Sequence, residues 1–188
     1  EVCYLHLITD AYSHKIIGWV LADTLRAAIT KEALEQAISQ AGHILPDILI
    51  HHSDRGVQYC CDDYVETLRR HHIRISMTED SNPTDNAIAE RTNGIIKGEG
   101  IYPRETFNSL EHARNVIGRY IHFYNNRRPH MSIGYKVPAL AHMETGPQKK
   151  MWKGKIYKKK VCTNGNNEIP LPCQTKSPDD SLSHQHGI

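Results

Sequence analysis

The sequence predicts an α/β protein, a mixed sheet flanked by helices. Two observations carry that reading. Short runs rich in β-branched and aromatic residues alternate along the chain with longer stretches whose apolar residues recur at helical spacing. Their order is β-β-α-β-α-β-α-α, which places helices between strands and on the faces of the sheet.

Residues 1–9 (EVCYLHLIT) read as a strand, Asp10–Lys15 carries turn chemistry, and Ile16–Leu21 reads as a second strand, together making a hairpin. From Thr30 to Gln40 the apolar positions Ala33, Leu34, Ala37, Ile38 and Ala41 share a helix face, and Gly42 is the stop. Pro46–His51 is a short apolar run with the character of a buried strand. Asp62–His71 is a helix with Tyr64, Val65 and Leu68 on one face, and Ile73–Met77 alternates as a strand. After the Asn82-Pro83 break, Asp85–Lys97 forms a third helix. Ser109 is placed to cap a long fourth helix to Asn126, striped by Leu110, Ala113, Val116, Ile117, Tyr120, Ile121 and Tyr124.

The chain has 188 residues, 39% hydrophobic and 23% charged, a globular composition with no apolar run of membrane-spanning length. Five cysteines without C-x-x-C spacing read as reduced thiols, which points to the cytoplasm. The adjacent pairs His51-His52 and His71-His72 lack the i, i+4 spacing of a helical zinc site. The net charge of +2 conceals a strap, residues 149–160, with seven lysines and no acid; the rest of the chain is net acidic. Two domains are therefore expected: a core over 1–146, and over 147–188 a basic strap followed by a disordered, Asn-, Pro- and Ser-rich tail. Trp152 and Tyr157 among the lysines suit phosphate contact combined with base stacking.

Two acids stand where chemistry can use them. Asp54 follows the strand before it, at the carboxyl end where α/β sheets open a crevice. Glu90 lies on the third helix behind the small and apolar Ala87, Ile88 and Ala89. Thirty-five residues (55–89) separate the two acids, and Lys97 lies two turns beyond Glu90 on the same face. Paired carboxylates suit Mg²⁺ or Mn²⁺, and the nearby cation suits a phosphate backbone.

HSDRGVQY at 52–59, DNAIAERTNGIIK at 85–97, YIHFYNNRRPH at 120–130 and Pro138-Ala139 follow one another in an order that resembles the retroviral-integrase-like (rve) DDE transposases of bacterial insertion sequences, of the orfB type. The resemblance covers residues 3–142. It implies a ribonuclease H-like fold that holds two Mg²⁺ ions among three carboxylates, one ion activating water or a DNA 3′-hydroxyl and the other stabilising the leaving oxygen. Asp54 would be the second acid and Glu90 the third, both metal ligands. Lys97, Arg127 and Arg128, with Lys149, Lys150, Lys153 and Lys155 of the strap, would contact DNA. The partners implied are element ends and target DNA, bound by a homo-oligomer without any membrane, in a bacterial cytoplasm.

Asp10 is the remaining candidate for the first acid. In the family that acid sits on the first of three antiparallel strands before the first helix, and here only two strands precede residue 30. The first strand lies centrally, so its two neighbours are about 10 Å apart, and Asp10 would be too far from Asp54 to share one ion. The expectation is a chain truncated at its N-terminus, without the central strand and its acid, and an inactive fragment of a transposase. The competing readings are a catalytically dead DNA-binding or interaction remnant, and a ribonuclease H-like nuclease not involved in transposition.

Overall fold

The computed structural model describes residues 2–41, 48–78, 86–103 and 106–148. Strand β1 (Tyr4–Thr9) pairs antiparallel with β2 (Ile16–Ala22), Leu7 opposite Trp19, with an irregularity at Ile8 and Thr9. Helix α1 (Ala27–Ala41) follows. Strand β3 (Ile50–Ser53) leads to the single-turn α2 (Val57–Cys60) and to α3 (Asp62–Arg70), after which β4 (Arg74–Met77) returns parallel to β3, Ile50 opposite Arg74 and Ser53 opposite Met77. Helix α4 (Ala87–Ile95) runs into a π-helical turn (Ile96–Ile101), then come α5 (Leu110–Asn126), a 3₁₀ turn (Met131–Ile133) and α6 (Pro138–Ala141).

Among the described residues the strands form two separate pairs. β1 hydrogen-bonds to β2 alone and β3 to β4 alone. One helix joins the pairs. Ala33, Leu34, Ala37 and Ile38 of α1 pack against Ile8, Ile17 and Val20 of the hairpin and against Tyr64, Leu68 and Ile73 around α3 and β4. Leu34 and Leu68 are almost fully buried, and truncating either to alanine costs about 2–5 kcal/mol.

The opposite face of the hairpin is covered by α5 and the π turn. Ile16 and Leu21 pack on Ile96, Ala113, Ile117, Ile121 and Tyr124. β2 is thus buried nearly throughout, which explains its unbroken apolar run. Gly18 makes the α1 contact possible: a Cβ there would lie 2.1 Å from the carbonyl oxygen of Ala33. Ser109 caps α5 as its position predicts, its Oγ accepting the His112 N–H at 3.0 Å.

Several elements differ from the sequence-based expectation. The third strand occupies 50–53, later than the predicted 46–51, and its buried residues are His51 and Ser53, not the aliphatic run before them. Residues 42–47 lie outside the described part. The third helix ends its α-helical pitch at Ile95 and continues as a π turn. The turns at 131–133 and 138–141 were not predicted; each is too short to show a period.

Candidate active site

Asp54 leaves β3 one residue past its end and is exposed. Its Oδ1 accepts the Gly56 N–H at 2.9 Å, a local turn bond that helps start α2. His52 beside it bonds Ser76 across the parallel pair at 2.9 Å. His51 points the other way, into the core, where Tyr64 Oη lies 2.9 Å from its Nε2, and burial holds it neutral with its pKa lowered to about 4.

Glu90 is also exposed, in the first turn of α4, where a carboxylate complements the helix dipole. It lines a cleft of about 970 Å³ together with Asn93, Gly94 and Lys97, over an apolar floor that includes Leu21 and Ile117. Glu90 and Lys97 therefore share one face, as their spacing predicts. Asp54 is not among the residues of that cleft.

Asp10 is placed differently from both. It is 4% exposed in the β1–β2 turn, where its carboxylate accepts the backbone N–H groups of Tyr12 and Ser13 at 3.2 Å and the Ser13 hydroxyl. His142, just past α6, lies 2.9 Å from the same carboxylate. Burial would raise the Asp10 pKa, but the bonds from His142, Ser13 and Tyr12 outweigh it and the net shift is downward. The carboxylate is committed to fastening the turn to α6.

The segment 124–130 has a structural office that the sequence did not disclose. Tyr124 is buried. Asn125 braces β2 through its amide, with Oδ1 accepting the Ile16 N–H and Nδ2 donating to the Ile16 carbonyl, both at 2.9 Å. His130 stacks edge-on against Tyr124 at 4.7 Å; burial first, then Arg128, lowers its pKa to about 4. Arg127 is exposed at the helix end, whereas Arg128 forks onto Glu99. A consecutive Asn-Asn-Arg-Arg run does not reveal which member turns inward; the helical phase counted from Tyr124 gives that only for Asn125. Lys149, Lys150, Lys153 and Lys155 lie outside the described residues, as does the tail.

Mg²⁺ prefers carboxylate oxygens, and Asp54 and Glu90 fit it in kind. Among the described residues, however, no group of three His, Cys, Asp or Glu side chains is close enough together to hold a metal ion. Two acids do not complete a two-ion centre. Cys3, Cys60 and Cys61 are free thiols, and no helix among the described residues is long and apolar enough to cross a membrane.

The architecture matches a known class. Residues 1–83 and 71–138 match the Integrase core domain family in two overlapping pieces. The HTLV-2 integrase catalytic core domain, solved in complex with magnesium, superposes with a TM-score of 0.56 at 23% identity, covering 73% of this chain and 83% of that one. The simian T-cell lymphotropic virus intasome, in complex with a PP2A regulatory subunit, gives a TM-score of 0.59 at 18% identity, covering 82% of this chain and 54% of that one. The fold is thus that of a retroviral integrase core, ribonuclease H-like.

Among curated proteins, the transposase InsF for insertion sequence IS3A of Escherichia coli K12 is 36% identical over 132 residues, 70% of this chain and 45% of the relative. The transposase for insertion sequence element IS904 of Lactococcus lactis is 32% identical over 136 residues, 72% of this chain and 53% of the relative. The chain belongs to the integrase core family, and the curated relatives it resembles are transposases of insertion sequences. It spans about half the length of the curated relatives it matches.

Proposed function

We propose that this chain is the catalytic core of an insertion-sequence transposase, which cuts and joins DNA phosphodiesters with divalent ions. The observation that carries the reading is the pair of exposed acids, Asp54 at a strand end and Glu90 on α4, with Lys97 sharing the cleft of Glu90. Mg²⁺ or Mn²⁺, when bound, would supply Lewis-acid stabilisation of charge on the phosphate oxygens. Asp54 and Glu90 would ligate it through hard oxygens, and Lys97 and Arg127, with the lysine strap, would hold the phosphate backbone of the element end and the target.

The third carboxylate would come from a strand seated between β1 and β3. Among the described residues neither strand is paired along that edge, and the buried His51 Nδ1 and Ser53 Oγ have no hydrogen-bond partner from another residue there. Asp10 holds Ser13 and His142 instead, which speaks against that part for it.

The test titrates Mn²⁺ into the chain with and without a synthetic extended peptide bearing one aspartate, and follows strand transfer on a labelled duplex. Mn²⁺ binding that appears with the peptide and is lost in Asp54→Asn and Glu90→Gln supports the reading. DNA binding with no Mn²⁺ uptake under either condition would identify a remnant that binds DNA without chemistry. Hydrolysis without any joining would identify a nuclease.

A further inference from the structure

Beyond Glu90 the helix changes its pitch. Over Ile96–Ile101 it is a π turn, in which the Tyr102 N–H donates to the Lys97 carbonyl at 2.8 Å, five residues back. Such turns carry one residue more than the α-helix they interrupt and occur frequently at functional sites. The contacts that hold this one are specific. Ile96 is fully buried against α5. Gly100 lies so close to the Tyr120 ring that a Cβ would approach Cδ1 to 2.6 Å. Between them, Glu99 Oε2 accepts from Tyr120 Oη at 2.7 Å and from Arg128 Nε at 2.8 Å, while Oε1 accepts from Arg128 Nη2 at 2.5 Å. The Arg128 guanidinium keeps the Glu99 carboxyl ionised, its pKa lowered to about 2.

Lys97 is the exposed residue of this turn that lines the cleft shared with Glu90. We infer that Glu99 is a positioning residue: gripped by Arg128 and Tyr120, it locks the π turn and thereby sets where Lys97 presents its ammonium group, so that Arg128 acts through Glu99 and not on phosphate. The inference rests on the proposed role of Lys97 in binding DNA. A half-exposed ion pair adds little to folding stability, so a fork joined by a hydroxyl matters here mainly for geometry.

The two roles for Arg128 predict opposite signs at Glu99. The full chain and its Glu99→Gln, Arg128→Gln, double and Lys97→Ala variants would be titrated with a fluorescein-labelled DNA duplex across a salt series, with amide hydrogen exchange followed over residues 98–102. We expect Glu99→Gln and Arg128→Gln each to weaken binding about threefold to tenfold, the size of one lost phosphate contact. The double variant should be no worse than either single one, and both substitutions should be silent in the Lys97→Ala background. The Tyr102 amide should exchange faster in Glu99→Gln. Tighter DNA binding by Glu99→Gln, or an Arg128→Gln loss that adds to Lys97→Ala and lowers the salt slope by about 0.9, would overturn the inference and make Arg128 a phosphate ligand. A wild-type chain that binds no DNA at any salt overturns instead the function on which the inference rests.

Discussion

Glu90 stands on a helix whose continuation is fastened to α5 at Glu99 and Gly100, beside a hairpin that α5 braces through Asn125 and through Arg114, which donates to the Leu21 carbonyl at 3.0 Å. Asp54 stands at the end of a four-residue strand that, among the described residues, has one hydrogen-bonded neighbour, and there a turn bond from Gly56 orients its carboxylate. Both acids are exposed carboxylates, yet one sits on a half tied by several side-chain bonds and the other at the end of a short strand. Catalytic geometry must hold to fractions of an ångström, so the half around β3 depends more on whatever seats beside it.

The largest expected effect treats the two halves alike. In an assembled, active transposase, Asp54→Asn and Glu90→Gln should each lower strand transfer about a thousandfold or more if each acid holds a metal ion as proposed, because such a ligand is worth several kcal/mol in the transition state. A much smaller loss at Asp54, measured by joining of labelled ends, would break the parity of the two acids.

Asn125→Ala should cut one tie of the bonded half. It leaves the buried Ile16 N–H and C=O without partners, at a cost of about 2–3 kcal/mol. Chemical denaturation would measure that loss, and a change under 1 kcal/mol would show that the brace is ornamental.

Acid should loosen both halves by similar amounts. His51 near β3 and His130 beside α5 are both held neutral, with pKa values of about 4 against the ordinary 6.5. A lowered histidine pKa contributes stability that is fully present above pH 6.5 and is lost as pH falls through 4, about 3 kcal/mol for each ring. Thermal unfolding across that window should show the fall, and His130→Phe, which keeps the ring against Tyr124, should remove about half of it.

The smallest effect lies on the surface near β3. Lys31 of α1 reaches both carboxylate oxygens of Asp63 at 2.9 Å, an exposed pair between helices. Asp63→Asn should shift stability by less than about 1 kcal/mol. A larger shift would mean that α3 depends on this tie more than on Tyr64 and Leu68.

Much of this division was legible in the sequence. The hairpin, α1, α3 and α5 follow from apolar spacing because each buries a continuous stripe, and the common face of Glu90 and Lys97 follows from helical phase. The start of β3 was misplaced because its buried positions are His51 and Ser53, which no hydrophobic pattern marks. The pairing of Glu99 with Arg128 was hidden for a different reason. The partners are 29 residues apart, and the π turn that aims Glu99 at Arg128 leaves no periodic signal in six residues. Asp10 was doubted as a metal ligand on strand order; in the structure its carboxylate bonds Ser13 and His142.

The π turn also records how this stretch tolerates a change in length. An α-helix advances about 100° per residue, so one residue more within 96–101 rotates everything downstream by that angle relative to the α4 axis. Deleting Gly98 would let the turn close with ordinary four-residue bonds, leaving the backbone satisfied and Ile96 in the core. Glu99 would swing away from Arg128, and Gly100 would leave the Tyr120 ring. The segment is therefore a place where a single-codon deletion spares the fold and spoils the aim, a frame of reference kept by one residue of surplus chain.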